Sequence, residues 1–139
     1  MKILNRYTRE VIFECDKETI KETVLEAVSK GISLRGANLK GVSLIYASLR
    51  GVSFEGANLE SASLKGANLE GANLKDANLK DANLKYASLI YASLRGVSFE
   101  GANLKGANLK GAILCNTYFS KTRISYKGKV VEVNFTEVE

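Results

Sequence analysis

Apolar residues along most of this chain recur with a period of five. From Leu34 through Leu39, Leu44 and Leu49 to Leu114, every fifth residue is Leu or Phe, 17 positions in succession. Two residues before each lies a small apolar residue, beginning Ala37, Val42, Ala47 and ending at Ala112, and between the two stands Ser or Asn, with Ile113 the departure. On an α-helix five residues advance about 500°, roughly 140° net, which scatters the leucines around every side. In one long strand successive leucines alternate between faces. The inward positions Ile32, Leu34, Ala37 and Leu39 are instead spaced two, three, two. Two is a strand stub with both side chains on one side, and three adds a corner. The pattern predicts a chain coiled around a tube of its own side chains.

Corner chemistry fits. The position two after each Leu is mostly Gly, with Asp76, Asp81, Asn116 and Ser61 as polar substitutes and Tyr46, Tyr86 and Tyr91 as exceptions that suggest a second turn form. Proline is absent, as expected where most backbone N–H groups bond to a neighbouring coil. Repetition at a fixed period outranks every other reading of the fold.

Runs such as Ala57-Asn58-Leu59-Glu60-Ser61 and Ala72-Asn73-Leu74-Lys75-Asp76 resemble the pentapeptide-repeat family, whose motif is small-(Asp/Asn/Ser)-Leu/Phe-x-x. The likeness covers 85 of 139 residues. It implies an all-β solenoid, a right-handed quadrilateral β-helix with four pentapeptides per coil, hence a tube roughly 20 Å long at about 4.8 Å per coil. Three regions are expected: an N-terminal cap over 1–31, a β-helix of 17 repeats over 32–116, and a degenerate last coil with a β cap over 117–139.

In the first region Lys2–Leu4 and Val11–Phe13 read as short strands, and Asp16 as the N-cap of a helix of about 13 residues stopped by Gly31. Ile20, Val24, Leu25 and Val28 form a stripe that suits the open tube end, which otherwise offers unpaired backbone groups. In the last region Phe119 and Ile124 keep the Leu phase, Thr117 and Thr122 the small-residue phase; Tyr126–Lys129 reads as a turn and Val130–Phe135 as a strand, with Glu132, Glu137 and Glu139 keeping that edge soluble.

Residues 45–59 recur identically at 90–104, an offset of nine pentapeptides. At four per coil the copy is turned by one face, which reads as duplication rather than a doubled site.

Little chemistry is on offer. Histidine is absent, removing the commonest general base and metal ligand. No CxxC, P-loop, HExxH or calcium-loop pattern occurs. Catalytic, cofactor and metal residues are expected to be none, and the protein not to be an enzyme. Cys15 and Cys115 are expected as free thiols, too far apart along the tube to bond. No secretion signal or membrane span is legible, so a cytoplasmic protein is expected.

Stepping 20 residues compares the sides of the tube. One column alternates Lys40, Glu60, Lys80, Glu100, suited to charge pairing between coils; another carries Arg35, Glu55, Lys75, Arg95. A third carries Ile45, Lys65, Lys85 and Lys105 with no acid, beside Tyr46, Tyr86 and Tyr126. Those six polar and aromatic residues, Tyr46, Lys65, Lys85, Tyr86, Lys105 and Tyr126, form the candidate interaction face. One reading is an anion-binding row; the other is solvated lysines with tyrosines covering backbone bared by Gly66 and Gly106.

Some family members inhibit type II topoisomerases as negatively charged rods resembling duplex DNA. Here the net charge is +5, which opposes docking in a DNA-binding saddle. The expected role is a rigid scaffold or protein-interaction module, with weak polyanion or nucleic-acid binding as an alternative and topoisomerase protection by DNA mimicry disfavoured. The partner is expected to be a protein, and the chain a monomer or a weak end-to-end or face-to-face dimer.

Overall fold

The structure is a computed structural model that describes residues 1–126 and 128–137. Its repeat region is a four-sided tube in which residues 20 apart sit directly above one another: Asn38 bridges Asn58, Ser43 bridges Ser63, Ser48 bridges Asn68 and Ser53 bridges Asn73, all parallel, and the bridging continues to Ser98 and Tyr118. We number the four faces by these outward residues, face 1 from Asn38, face 2 from Ser43, face 3 from Ser48 and face 4 from Ser53.

Following the five backbone N–H groups of one repeat explains the motif. Leu39 N–H donates to Asn58 O (2.8 Å) and Gly41 N–H to Glu60 O (2.8 Å), both in the next coil. Asn58 N–H donates back to Ala37 O (2.8 Å), and Ala57 N–H closes the corner onto Phe54 O (2.9 Å). That leaves the residue after Leu, whose N–H the Asn side chain takes, as Lys80 N–H does on Asn78 Oδ1 (3.0 Å). Serine makes the same bond at two positions and at longer reach, Arg35 N–H to Ser33 Oγ (3.3 Å) and Glu100 N–H to Ser98 Oγ (3.5 Å). The polar motif residue therefore satisfies the one donor that coil stacking leaves over.

Inside, the small residue and the Leu or Phe of each repeat are almost wholly buried from Leu34 to Leu104, with Val42 only partly covered. Because each coil touches only its neighbours, the core is a column one side chain deep.

At the N-terminal end β1 (Lys2–Leu4) and β2 (Val11–Glu14) pair antiparallel, followed by α1 (Ile20–Ser29). The helix is ten residues long and begins later than Asp16 predicts. Thr19 is the N-cap, and Glu22 reaches back to it in a capping box. That reciprocal pair satisfies two amide donors where Asp16 would have satisfied one. Val24 and Ala27 bury over the tube end.

At the other end β3 (Asn103–Leu104) pairs parallel with β4 (Thr117–Tyr126), which pairs antiparallel with β5 (Lys129–Glu137). β4 continues the solenoid over faces 1 and 2 only. Phe119 stacks on Phe99 at 5.5 Å between centroids, and the buried Thr117 and Thr122 hydroxyls donate to Leu94 O and Phe99 O (2.7 Å each). The expected turn includes Lys127 and the expected acidic edge includes Glu139, both outside the described residues.

Leu74 is fully buried mid-tube. Leu74→Ala is expected to lose about 2–5 kcal/mol by urea unfolding, and Leu74→Lys to abolish cooperative folding because its charge has no partner inside. A soluble Leu74→Lys variant with unchanged melting would refute the tube.

Candidate interaction face

Each corner between faces forms a column of charged or aromatic side chains. Where columns hold both signs, ion pairs bridge adjacent coils: Arg35–Glu55 (3.6 Å), Lys40–Glu60 (3.1 Å), Arg50–Glu70 (3.1 Å) and Lys80–Glu100 (3.5 Å). All are solvent-exposed on the cationic side and contribute little stability. Their value here is local neutralisation.

The corner between faces 2 and 3 differs. It holds Ile45, Lys65, Lys85 and Lys105, and no ion pair reaches these lysines among the described residues. The helix prolongs the row: Lys21 Nζ donates to Ile45 O at 2.6 Å, capping a carbonyl that no earlier coil covers. The corner between faces 3 and 4 adds Arg50, Glu70 and Lys110.

Together these two corners carry a formal charge of +4 from Lys65, Lys85, Lys105, Arg50 and Lys110 against Glu70. The other two corners balance to zero, Arg35, Lys40, Lys75, Lys80 and Arg95 against Glu55, Glu60, Asp76, Asp81 and Glu100. The repeat's whole net charge therefore borders face 3.

The exposed tyrosines of the repeat gather there as well. Tyr46, Tyr86 and Tyr91 are 71%, 55% and 63% exposed. All three take left-handed backbone, with φ of 57°, 60° and 57°. Each ring lies against the glycine one coil on. A Cβ built on Gly66 would fall 2.4 Å from Tyr46 Cδ1, and Gly106 and Gly111 meet Tyr86 and Tyr91 at the same 2.4 Å. The tyrosines thus cover bared backbone with one ring face and offer the other to solvent. Lys85 Nζ stands 5.8 Å from the Tyr86 centroid, a cation–π contact. Between the corners runs a flat ladder of Ser48, Asn68, Ser88 and Asn108.

Of the residues singled out in the sequence, Tyr46, Lys65, Lys85, Tyr86 and Lys105 share one corner column. Tyr126 ends β4, pairing with Lys129, but its side chain lies outside the described residues. Sequence reasoning missed Lys21 and Tyr91. The quarter-turn offset of the 15-residue copy, which the sequence presents as a duplication rather than a doubled site, does not separate every pair of equivalent residues. A corner residue turned by one face reaches the next corner, so Tyr46 and Tyr91 border the same face 3 from opposite sides. Adding the offset to corner positions rather than faces would have found it.

The pentapeptide-repeat family model matches in eight copies over residues 30–60, 62–101 and 98–126. The chain belongs to the pentapeptide-repeat family. It is a right-handed quadrilateral β-helix, as its solved relatives are. Among those, a pentapeptide-repeat protein from Nostoc PCC 7120 (alr5209) is 33% identical over 71% of this chain and 77% of its own, with a TM-score of 0.57. Rfr23 from the cyanobacterium Cyanothece 51142 is 30% identical over 70% and 66%, with a TM-score of 0.56. AT2G44920 from the Arabidopsis thaliana thylakoid lumen is 30% identical over 65% and 66%, with a TM-score of 0.52. This pentapeptide-repeat chain therefore matches just under two thirds of the length of the last two. No curated protein matches it. Among the described residues no helix is long and apolar enough to cross a membrane.

The tyrosine–glycine fit is testable. Gly66→Ala is expected to cost about 1–3 kcal/mol by urea unfolding, from positive φ and the Tyr46 ring together. In a Tyr46→Ala background the same change should cost measurably less; equal costs would mean the ring does not sit on Gly66.

Proposed function

We propose that this pentapeptide-repeat protein is a non-enzymatic, rigid binding module that engages an acidic protein surface through face 3 and its two corners. The observation that supports this is one-sidedness: exposed tyrosines and lysines that make no ion pair among the described residues border one face, while the charges of the other two corners balance to zero. Tyrosine supplies contact area at small entropic cost and is enriched at interfaces. A row of lysines speeds encounter with an anionic partner and fixes its orientation. Rigidity follows from the coil-to-coil bonding, so binding need not order the surface first.

A protein partner is favoured over nucleic acid because the face is flat, without a groove to track a phosphate backbone. DNA mimicry requires the opposite sign of charge. Free thiols at Cys15 and Cys115 suit a reducing compartment, in keeping with a cytoplasmic location.

The test compares a labelled poly-glutamate peptide with a DNA duplex of equal charge by fluorescence anisotropy, from low to physiological salt. The peptide is expected to bind, and Lys65→Glu/Lys85→Glu/Lys105→Glu to weaken it roughly tenfold or more. Tighter DNA binding with a steep salt slope would move the reading to nucleic acid. No binding of either at low salt would remove the role of the face.

A further inference from the structure

The glycines at the corners of the tube follow a rule. Glycine leaves the backbone of its corner bare, and a flat group from the corner one coil earlier lies on it. Tyrosine rings cover Gly66, Gly106 and Gly111, and the carboxyl groups of Asp76 and Asp81 cover Gly96 and Gly101. Before the first full coil the N-terminal hairpin supplies the cover, with the amide nitrogen of Asn5 2.9 Å from a Cβ built on Gly36. Gly56 and Gly71 break the rule. The residue 20 positions before each is itself a glycine, and no atom lies within 4 Å of a Cβ built on Gly56 or Gly71.

Gly56 has walls around it. A cleft of about 390 Å³ opens over Gly36 and Gly56, where the corner of faces 4 and 1 meets the loop between β1 and β2. That loop is held in place. Arg6 N–H donates to Gly36 O (2.7 Å), and Asn5 Oδ1 accepts from the N–H groups of Tyr7 (2.8 Å) and Thr8 (3.1 Å). Tyr7 lines the cleft, with the Arg6 guanidinium 4.9 Å from its ring centroid. Glu55 and Asp76 bring carboxylates to the same space. Arg35 holds Glu55 only at 3.6 Å, and Asp76 makes no ion pair among the described residues. Two further polar atoms are underused. Asn5 Nδ2 donates to nothing among the described residues, and Gly56 O receives only Arg6 Nη1, at 3.4 Å.

We propose that this cleft is a second binding site, separate from face 3, and that it seats a tyrosine side chain from an exposed segment of a partner protein. The chain's own tyrosines show the fit, a ring laid flat on a corner glycine. With glycine at position 36 the tube supplies no ring for Gly56. A guest ring there meets the Tyr7 ring and the Arg6 guanidinium beside it. Its hydroxyl gives Glu55 or Asp76 a donor, which an ionised carboxylate can only accept. Phenylalanine fills the seat but leaves both carboxylates unanswered. An arginine side chain is also flat, but it meets the guanidinium groups of Arg6 and Arg35. Asn5 Nδ2 and Gly56 O match a C=O and an N–H of the guest's backbone, which favours a tyrosine within a peptide chain over a free phenol. The corner of faces 4 and 1 does not border face 3, so the two sites can be filled together.

The test is a titration of the isotope-labelled protein with the neutral peptide acetyl-Gly-Ser-Tyr-Ser-Gly-amide, followed amide by amide by NMR. Saturable shifts are expected at Gly36, Gly56 and Asp76, with the Phe-containing peptide binding roughly tenfold more weakly. Gly56→Ala puts a methyl where the ring must lie, and Gly36→Tyr seats a ring from within. Each is expected to abolish the shifts, and each should fold, because Tyr46 and Ser61 already hold side chains at left-handed corners; melting checks this. Glu55→Ala with Asp76→Gly should remove the preference for Tyr over Phe. No saturable shift up to about 5 mM peptide, equal affinity for both peptides, or binding that survives Gly56→Ala and Gly36→Tyr overturns the proposal. So does tighter binding of N-acetyltyrosinamide, which would make a free phenol the ligand. The same shifts on concentrating the protein alone would assign the seat to a second copy and overturn it too. Poly-glutamate is read at the amides of face 3, so the two sites stand or fall separately.

Discussion

Every feature of this molecule depends on the hydrogen bonds that tie each residue to the one 20 positions on. They consume the backbone donors of the Leu, the Asn or Ser and the corner residue, leaving one N–H per repeat for the side chain of the motif Asn. Burial contributes the free energy, but the hydrogen bonds set the register. A small residue and a Leu fill the tube because the cross-section they leave is the one at which coils meet at bonding distance. A larger residue at the Ala position would push neighbouring coils apart on all four faces.

The same register turns the outside into columns, and a column is a one-dimensional problem in sterics and charge. A ring that leans onto the next coil needs a glycine there, as Tyr46, Tyr86 and Tyr91 have at Gly66, Gly106 and Gly111. Like charges stacked at coil spacing repel unless an opposite charge intervenes. Three corners alternate signs in part and form ion pairs; among the described residues the corner of Lys65, Lys85 and Lys105 forms none. Structural stability alone favours placing an acid among them. Their repulsion is tolerable in water, and an anionic partner would relieve it, which is the physical basis of the binding role proposed for face 3.

Much of this was legible in the sequence, and the boundary is instructive. The period of five and the two–three spacing already imply a tube, since neither helix nor strand accommodates them. The number of repeats per coil came from the family likeness, because spacing alone does not say how many corners close a turn. Columns of Lys40–Glu60 and Lys65–Lys85 followed at once from that number. What escaped were relations that cross columns or leave the repeat. Thr19 displaced Asp16 as helix cap because Glu22 answers it, a reciprocity that counting one acceptor overlooks. Lys21 joins the basic row only because α1 folds back over the tube end. Tyr91 joins face 3 because a quarter turn moves a corner residue to the adjacent corner. That the last coil is covered over faces 1 and 2 alone follows from the turn that the sequence places at Tyr126–Lys129, but only once residues are assigned to faces.

Native-state hydrogen exchange, read amide by amide in dilute monomeric protein, tests the 20-residue bonding most directly. The account predicts slow exchange at Leu59, Leu69 and Gly71, whose N–H groups donate to the next coil, and fast exchange at Leu109, Leu114 and Gly111, which occupy the same motif positions with no coil above them among the described residues. Protection that is uniform along the repeat, or that fails to fall at the last half-coil, would contradict it.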